Sequence, residues 1–237
     1  MMENLKKQLQ EKGYTFFNMK DYPEFAEDYT KYKKYICNSE NNLLNKIDSV
    51  RLDGVYLGNH NIELENSRMH VDETFGSFEE TQKIINIKYL PYYDKNDGSQ
   101  YWYYGHPHEI LDDFKELVEK IVEKFYDEKS DSIQHLANLT YYTSDCFLRP
   151  HRDGKTDTRI CAVLIYLNDV DYKTEWGGNI IFEETDSVEP IYGNVAVLDF
   201  KEGNCLHEVK KVVDGYGRFA ILDFVSVGTP PEKPNYY

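Results

Sequence analysis

The second half of the chain alternates short apolar runs with turn residues. From Leu136 onward these runs recur at intervals of roughly 8 to 12 positions, and Gly, Asn, Asp or Pro separate them. This spacing is typical of antiparallel sandwiches and barrels. The predicted strands are 160–167, 179–182, 194–200, 206–209 and 218–225.

The first half predicts helices that support this sheet. Between positions 110 and 125 the apolar residues form one helical stripe, which is typical of a helix packed on a core. The stripe consists of Ile110, Leu111, Phe114, Leu117, Val118, Ile121, Val122 and Phe125. The N-terminal residues predict a short helix that stops at Gly13, followed by a strand at 14–17. Residues 25–36 also show helical spacing, whereas 38–100 have no clean period and are expected to hold loops and short strands.

Length and charge limit the class of protein. With 237 residues and 41% hydrophobic content, the chain is expected to fold as a single domain, residues 1–237, around one sizeable core. The net charge of −15 repels phosphate backbones, which argues against a nucleic-acid partner and favours a cationic substrate. No apolar run approaches the length of a membrane span, and the N-terminus lacks the apolar core of a secretion signal. We therefore expect a cytoplasmic protein with no membrane partner.

The four cysteines do not indicate a disulfide or zinc framework. They lie far apart in the sequence and none forms a Cys-x-x-Cys pair. We expect reduced and mostly buried thiols. Cys205 lies two residues before a histidine of interest, but its position alone assigns it no role.

A His-x-Asp pair and a distant histidine are the candidate chemical groups. In an extended segment, residues two apart point to the same side, so His151 and Asp153 can hold one ion while Arg152 points away. His207, much further along the chain, can supply a third ligand from a neighbouring strand. Two imidazoles and one carboxylate on one face of a metal leave adjacent positions open, an arrangement used by non-haem Fe(II) oxygenases.

A second His-x-Asp pair, His70 and Asp72, competes with the first as a metal site. It lacks a following apolar strand, a double glycine and a downstream histidine and arginine at the usual distance. We interpret this segment as a source of substrate contacts, in which Arg68 binds a carboxylate and Asp72 or Glu73 binds an amine. The alternative is a solvated loop. The nearby His106-Pro107-His108 segment is typical of turn and cap residues before a helix.

The second half resembles a known family over residues 138–227. Four segments follow the His-x-Asp pair in the order found in 2-oxoglutarate and Fe(II)-dependent dioxygenases of the prolyl-4-hydroxylase-like branch. These segments are RICAVLIYLND, EWGGNIIF, EPIYGNVAVLDF and HEVKKVVDGYGRFAILDF. The resemblance implies a mainly β protein with flanking helices (α+β), whose core is a double-stranded β-helix, the cupin-like jelly roll. Residues 1–135 are then a supporting and substrate-lid region, and residues 136–228 are the catalytic core.

The same resemblance implies roles for individual residues. His151, Asp153 and His207 correspond to the iron ligands and hence to the catalytic centre. Arg218 corresponds to the basic residue that binds the distal carboxylate of 2-oxoglutarate. Arginine suits this task because its planar fork matches a carboxylate and stays charged when buried.

Tyrosines are expected to complete the co-substrate site. Tyr142 corresponds to a tyrosine that contacts the co-substrate, and Tyr141 is its rival because a slip of one residue swaps the faces of a strand. Tyr166 can contribute a similar hydroxyl from the next strand, although core packing explains it equally well.

The implied cofactors are Fe(II), 2-oxoglutarate as co-substrate and O₂, with ascorbate as a stimulating reductant. Halogenases of the family replace the ligand carboxylate with a small residue, so Asp153 predicts hydroxylation. The substrate we expect is a free amino acid or related small metabolite, acted on by a monomer or homodimer. The alternatives are a prolyl or other residue in a protein or peptide, and a non-catalytic jelly-roll binding protein.

Overall fold

In the computed structural model the described residues are 1–36, 56–57, 84–88, 91–93, 100–102, 109–128, 133–142, 147–153, 158–201, 203, 205–213 and 217–228. They form three α-helices, α1 Met2–Lys12, α2 Ala26–Lys31 and α3 Glu109–Tyr126. Short 3-10 turns lie at Met19–Asp21, Pro23–Phe25, Tyr32–Tyr35 and Thr174–Trp176. The strands in chain order are β1 Tyr14–Asn18, β2 Tyr56–Leu57, β3 Ile84–Lys88, β4 Pro91–Tyr93, β5 Gln100–Trp102, β6 Ile133–Tyr142, β7 Leu148–His151, β8 Arg159–Tyr166, β9 Ile180–Phe182, β10 Asp186–Val188, β11 Asn194–Asp199, β12 His207–Val209 and β13 Arg218–Val227.

Two antiparallel sheets form the body of the protein. The larger has seven strands in the order β1-β11-β8-β13-β6-β3-β2, and the smaller has four in the order β10-β9-β12-β7. A separate two-stranded ribbon joins β4 and β5. Neighbours in both large sheets are mostly distant in sequence, which is the connectivity of a jelly roll. The predicted jelly-roll fold is confirmed.

The interior of the jelly roll is an apolar cluster with members from both sheets. Its buried residues are Tyr14, Ala162, Leu164, Tyr166, Ile180, Phe182, Val188, Ala196, Leu198, Phe200, Cys205 and Ala220. A second cluster lies on the opposite face of the seven-stranded sheet, where α1 and α3 cover it. Strand β8 contributes to both clusters, which explains why 160–167 is apolar without alternation.

The helices follow the predicted pattern with one exception. In α3 the stripe residues from Phe114 to Phe125 are buried against the sheet, and α1 ends at Gly13 in the left-handed conformation, φ 77°. Residues 25–36, predicted to be helical, are divided between the six-residue α2 and 3-10 turns. Buried Phe25 and Tyr32 nevertheless pack on the same core, so the spacing identified buried positions but not the type of helix.

Candidate metal centre

The two candidate histidines are cross-strand neighbours in the smaller sheet. His207 at the start of β12 is paired with His151 at the end of β7, and their ring centroids are 4.3 Å apart. Directly opposed residues of antiparallel strands have Cβ atoms about 5 Å apart, so the pairing alone brings two imidazoles together. On the other side of β12, Phe182 pairs with His207, and their ring centroids are 6.2 Å apart.

Asp153 completes the cluster from the segment that follows β7. Its Oδ1 lies 3.4 Å from His151 Nε2, and its Oδ2 lies 3.7 Å from His207 Nε2. One ligand atom from each residue lies within 4.8 Å of the others. Two imidazole nitrogens and one carboxylate oxygen, converging from one side, suit an octahedral ion that keeps positions for other ligands. The donor set therefore fits Fe(II). We call these three residues the metal triad.

The electrostatics keep the metal triad in a form that accepts a cation. Burial alone would raise the pKa of Asp153, but the hydrogen bond with His151 and the charges of His207 and His151 outweigh it and lower that pKa. Burial lowers the pKa of His207 and outweighs the carboxylate of Asp153, which raises it; the neighbouring His151 adds to the lowering. At neutral pH the carboxylate is charged and His207 is an uncharged donor.

The tautomer of His207 is set by its backbone. His207 Nδ1 lies 3.2 Å from the carbonyl oxygen of Cys205, and since a carbonyl only accepts, Nδ1 carries the proton. Nε2, which faces Asp153, then presents its lone pair to the site. Burial first, then the carboxylates of Glu183 and Asp153, raise the pKa of Cys205 to about 12, so this thiol is neutral. Cys161 is also a buried free thiol, as expected for a reduced protein.

Arg218 is buried at the start of β13 and faces Tyr166. Its exposed fraction is 2%, its Nη2 donates to the Tyr166 hydroxyl at 3.3 Å, and its Cζ lies 5.1 Å from the centre of the tyrosine ring. Burial raises the pKa of Tyr166 even though the charge of Arg218 opposes it, so the hydroxyl stays neutral. The pair is a rigid cationic group suited to a carboxylate.

Two adjacent glycines make room for this arginine. Gly177 and Gly178 both have φ of 74°, and a Cβ at Gly178 would lie 3.1 Å from Cβ and 3.2 Å from Cδ of Arg218. A Cβ at Gly177 would lie 1.8 Å from the carbonyl oxygen of Lys211. The sequence indicates only a turn at these glycines. The structure shows that Gly178 lets the backbone approach Arg218 and that Gly177 lets it approach Lys211, after β12.

Asn168 is a residue that the sequence did not single out. Buried after β8, its side-chain oxygen accepts from the Phe219 N–H at 2.8 Å, and its nitrogen donates to the Gly217 carbonyl at 2.6 Å. It therefore fixes the backbone on both sides of Arg218. Its position in the run LIYLND, directly after the apolar strand, was the only available signal.

The other predicted site residues divide into two groups. The register of β6 and β13 pairs Tyr142 with Arg218 and Tyr141 with Phe219, so Tyr142 is the tyrosine directly across from the arginine. The side chains of these two tyrosines lie outside the described part. The predicted substrate contacts Arg68, Asp72 and Glu73 also lie outside the described residues, as do the competing His70 and the segment 106–108.

Among the described residues, no helix is long and apolar enough to cross a bilayer.

Comparison with known proteins supports the resemblance noted in the sequence. Residues 137–226 match the family model of the 2OG-Fe(II) oxygenase superfamily. Comparison with curated protein sequences yields no match. The resemblance noted in the sequence is confirmed over this region, which is similar to the 2OG-Fe(II) oxygenases, dioxygenases that use Fe(II), 2-oxoglutarate and O₂.

Solved structures share this fold over nearly the whole chain. A prolyl-4-hydroxylase from Pseudomonas putida is 14% identical, with a TM-score of 0.58, and the alignment covers 96% of this chain and 100% of that one. A prolyl hydroxylase from Trichoplax adhaerens, solved with a hypoxia inducible factor peptide fragment, is 14% identical, with a TM-score of 0.57 and coverage of 95% and 89%. A 2OG-Fe(II) oxygenase family protein from Burkholderia pseudomallei is 18% identical, with a TM-score of 0.55 and coverage of 95% and 91%. At these identities the likeness concerns the fold.

Proposed function

We propose that this protein is an Fe(II)- and 2-oxoglutarate-dependent hydroxylase whose metal ligands are His151, Asp153 and His207. The observation that carries the proposal is the convergence of one ligand atom from each of these residues within 4.8 Å. The family match over residues 137–226 supports the same chemistry independently of this geometry. We further propose that residues 1–237 form one domain, with 1–135 supporting the catalytic core 136–228.

Each ligand has a physical role. The ionised Asp153 supplies the negative charge that a divalent cation requires, and His207, whose pKa is lowered by burial, supplies a nitrogen donor without further charge. His151 supplies the second imidazole. The backbone carbonyl of Cys205 orients the His207 ring through Nδ1. The side chains of His151 and His207 are 9% and 7% exposed, so both rings are largely shielded from bulk water.

We propose that Arg218 binds the distal carboxylate of 2-oxoglutarate, with Tyr166 and Tyr142 beside it. The buried guanidinium can form charge-assisted hydrogen bonds to a carboxylate. Tyr166 contacts the guanidinium through its hydroxyl and its ring and so restricts its position. Gly178 leaves the space that this side chain occupies, and Asn168 fixes its backbone. Such a fixed anchor limits the orientations that the co-substrate can adopt.

With Fe(II) bound, the centre couples conversion of 2-oxoglutarate to succinate and CO₂ with insertion of one oxygen atom from O₂ into an unactivated C–H bond. The chain contributes geometry and exclusion of water. Asp153 occupies the coordination position that a halide takes in halogenases, so the expected product is an alcohol. We expect ascorbate to stimulate turnover.

The substrate we propose is a free amino acid or related small metabolite. The net charge of −15 favours a substrate carrying a positive group, such as an amine. Arg68, Asp72 and Glu73 are the residues we assign to its carboxylate and amine.

A prolyl or other residue in a peptide is the second candidate. Two proteins with the same fold support it, since one is a prolyl-4-hydroxylase and the other was solved with a peptide fragment bound. Both substrate classes use the same proposed centre, so the test must separate them directly.

The test begins with anaerobic addition of Fe(II) and 2-oxoglutarate to the full chain. A weak visible metal-to-ligand charge-transfer band is expected, and it should be lost in the alanine variants of the metal triad. Oxygen is then admitted, and succinate is assayed with a pool of free amino acids or a pool of peptides. The pool that stimulates succinate identifies the substrate class. Absence of the band in the metal-loaded wild type would reject the proposal.

A further inference from the structure

The ends of the ligand-bearing strands are aligned across the smaller sheet. Phe182 at the end of β9, His207 at the start of β12 and His151 at the end of β7 form one row in the register. Since β12 is antiparallel to both neighbours, the next row outward contains residues 183, 206 and 152. These three residues lie directly beside the candidate ligands.

The carboxylate of Glu183 spans that outer row. Its Oε1 accepts from the Leu206 N–H at 2.8 Å and lies 3.4 Å from Arg152 Nη1. The Glu183 N–H in turn donates to the Leu206 carbonyl at 2.9 Å. The Glu183 side chain, directly after β9, therefore contacts the residue before His207 and the residue after His151.

These contacts bear on all three candidate ligands. Leu206 directly precedes His207, and Arg152 lies between His151 and Asp153. A shift of either backbone segment would move a ligand atom, and metal affinity depends on ligand placement within a few tenths of an ångström. The Glu183 carboxylate thus contacts the segments that carry the three candidate ligands without being one of those ligands.

The backbone at Glu183 is in an unfavourable conformation. Glu183 has φ of 47° and Glu184 has φ of 62°, and the turn is closed by the Thr185 N–H donating to the Phe182 carbonyl at 2.9 Å. Glycine and asparagine suit such left-handed positions, and a glutamate there is disfavoured. Glu184 shares the strain but is exposed and forms no hydrogen bond or ion pair with any described residue. The bonds made by the Glu183 carboxylate offset its strain.

We infer that Glu183 is a positioning residue for the metal centre, which holds the starts and ends of the ligand-bearing strands at their spacing before metal binds. The inference rests on the proposed function. It concerns metal affinity and not the choice of substrate. Glu184 supplies a matched control, since it differs mainly in lacking the bridging contacts.

The test is anaerobic titration of the full-length apoprotein with Co(II), followed by its visible d–d absorption, with the melting temperature of each apoprotein as a second measurement. We expect Glu183→Ala and Glu183→Gly to weaken Co(II) affinity by about 10-fold and to alter the d–d spectrum. Glu183→Gly relieves the left-handed strain, so its apoprotein should melt no lower than that of Glu183→Ala. Glu183→Gln keeps an acceptor oxygen for Leu206 and is expected to bind within about threefold of wild type. Glu184→Gly should bind Co(II) like wild type.

The outcomes separate this inference from the proposed function. If wild type binds no Co(II), the metal centre itself is rejected. If wild type binds and Glu183→Gly binds equally well with an unchanged spectrum, Glu183 has no positioning role. Equal weakening in Glu183→Gln and Glu183→Ala would assign the effect to charge and overturn the inference, as would equal weakening in Glu184→Gly.

Discussion

Among the described residues, two clusters combine histidine with carboxylate, and they differ in stoichiometry. The metal triad has two imidazoles and one carboxylate at the end of the smaller sheet. The second cluster has one imidazole, His135 of β6, between Asp223 of β13 and Glu119 of α3. We call the second cluster the core triad, because it lies between the seven-stranded sheet and the helix that covers it.

The two arrangements give opposite protonation states. In the core triad, His135 Nδ1 lies 2.6 Å from Asp223 Oδ2, and His135 Nε2 lies 3.4 Å from Glu119 Oε1. Burial alone would lower the pKa of His135, but the charge and hydrogen bond of Asp223, with Glu119, raise it to about 9. In the metal triad the pKa of His207 is lowered instead.

The difference shows that the ratio of imidazoles to carboxylates decides whether such a cluster can bind a metal ion. Two carboxylates around one imidazole retain its proton, so both ring nitrogens carry hydrogen and neither has a lone pair for a metal. In the metal triad one carboxylate faces two imidazoles, and the neutral His207 keeps a lone pair free for a cation. A histidine near an aspartate is therefore not a metal site by itself; the count and direction of the remaining donors decide.

The largest predicted effect comes from removing the carboxylate of the metal triad. Asp153→Gly should lose roughly 100-fold or more in hydroxylation and in Fe(II) affinity, because a cation would then face only neutral ligands. Fe(II) binding and product formation are measured together, with His135→Gln as the control from the core triad. Full hydroxylation by Asp153→Gly would show that the ligand assignment is wrong.

The next effect concerns Arg218, the proposed anchor of 2-oxoglutarate. Arg218→Lys keeps the positive charge but loses the planar fork and the stacking on Tyr166, so the KM for 2-oxoglutarate should rise roughly 10- to 100-fold. The Kd for Co(II) without 2-oxoglutarate should stay within about threefold of wild type. An unchanged KM, or an equal loss of metal affinity, would place Arg218 outside the co-substrate site.

The core triad predicts a smaller, pH-dependent effect on stability. His135 has a folded pKa of about 9 and an ordinary pKa of about 6.5 when unfolded. Its stabilisation is therefore complete below about pH 6.5 and is lost as the pH rises through about 9, a total of about 3 kcal/mol. Denaturant unfolding of the apoprotein at several pH values measures this slope.

A matched variant isolates the contribution of His135 from other titrating groups. His135→Gln cannot be protonated, so its difference in unfolding free energy from wild type should be greatest near pH 6 and should shrink toward pH 9.5. His207→Gln should leave the slope above pH 6.5 unchanged, because the pKa of His207 is lowered and not raised. If the unfolding free energies of wild type and His135→Gln change with pH in parallel, His135 is not charged in the folded protein.

The sequence predicted the jelly roll because its signals are local. Apolar strand 160–167 and the stripe on α3 are visible as short runs, and each is buried as expected. The His-x-Asp spacing of His151 and Asp153 is also local, and it found two members of the metal triad. His207 was found through the order of motifs that accompany it.

The parts that sequence did not reveal depend on pairing between distant segments. The core triad joins three elements far apart in the chain, and no motif marks it. Asn168 acts on Arg218 only because β8 and β13 are adjacent, and Gly178 is required only because Arg218 packs against it. The roles of Asn168 and Gly178 depend on which strands are neighbours and in which register they pair. Patterns of residues along the sequence do not contain this information.

The position of β7 has a consequence for the lifetime of the bound metal. Among the described strands, β7 lies at the edge of the four-stranded sheet, with β12 as its neighbour. Edge strands open locally at lower free energy than central strands, and opening of β7 would carry His151 and Asp153 away together. Metal release would then follow the rate of that local opening, so exchange of the β7 amide hydrogens and metal dissociation should slow in parallel when the strand is stabilised.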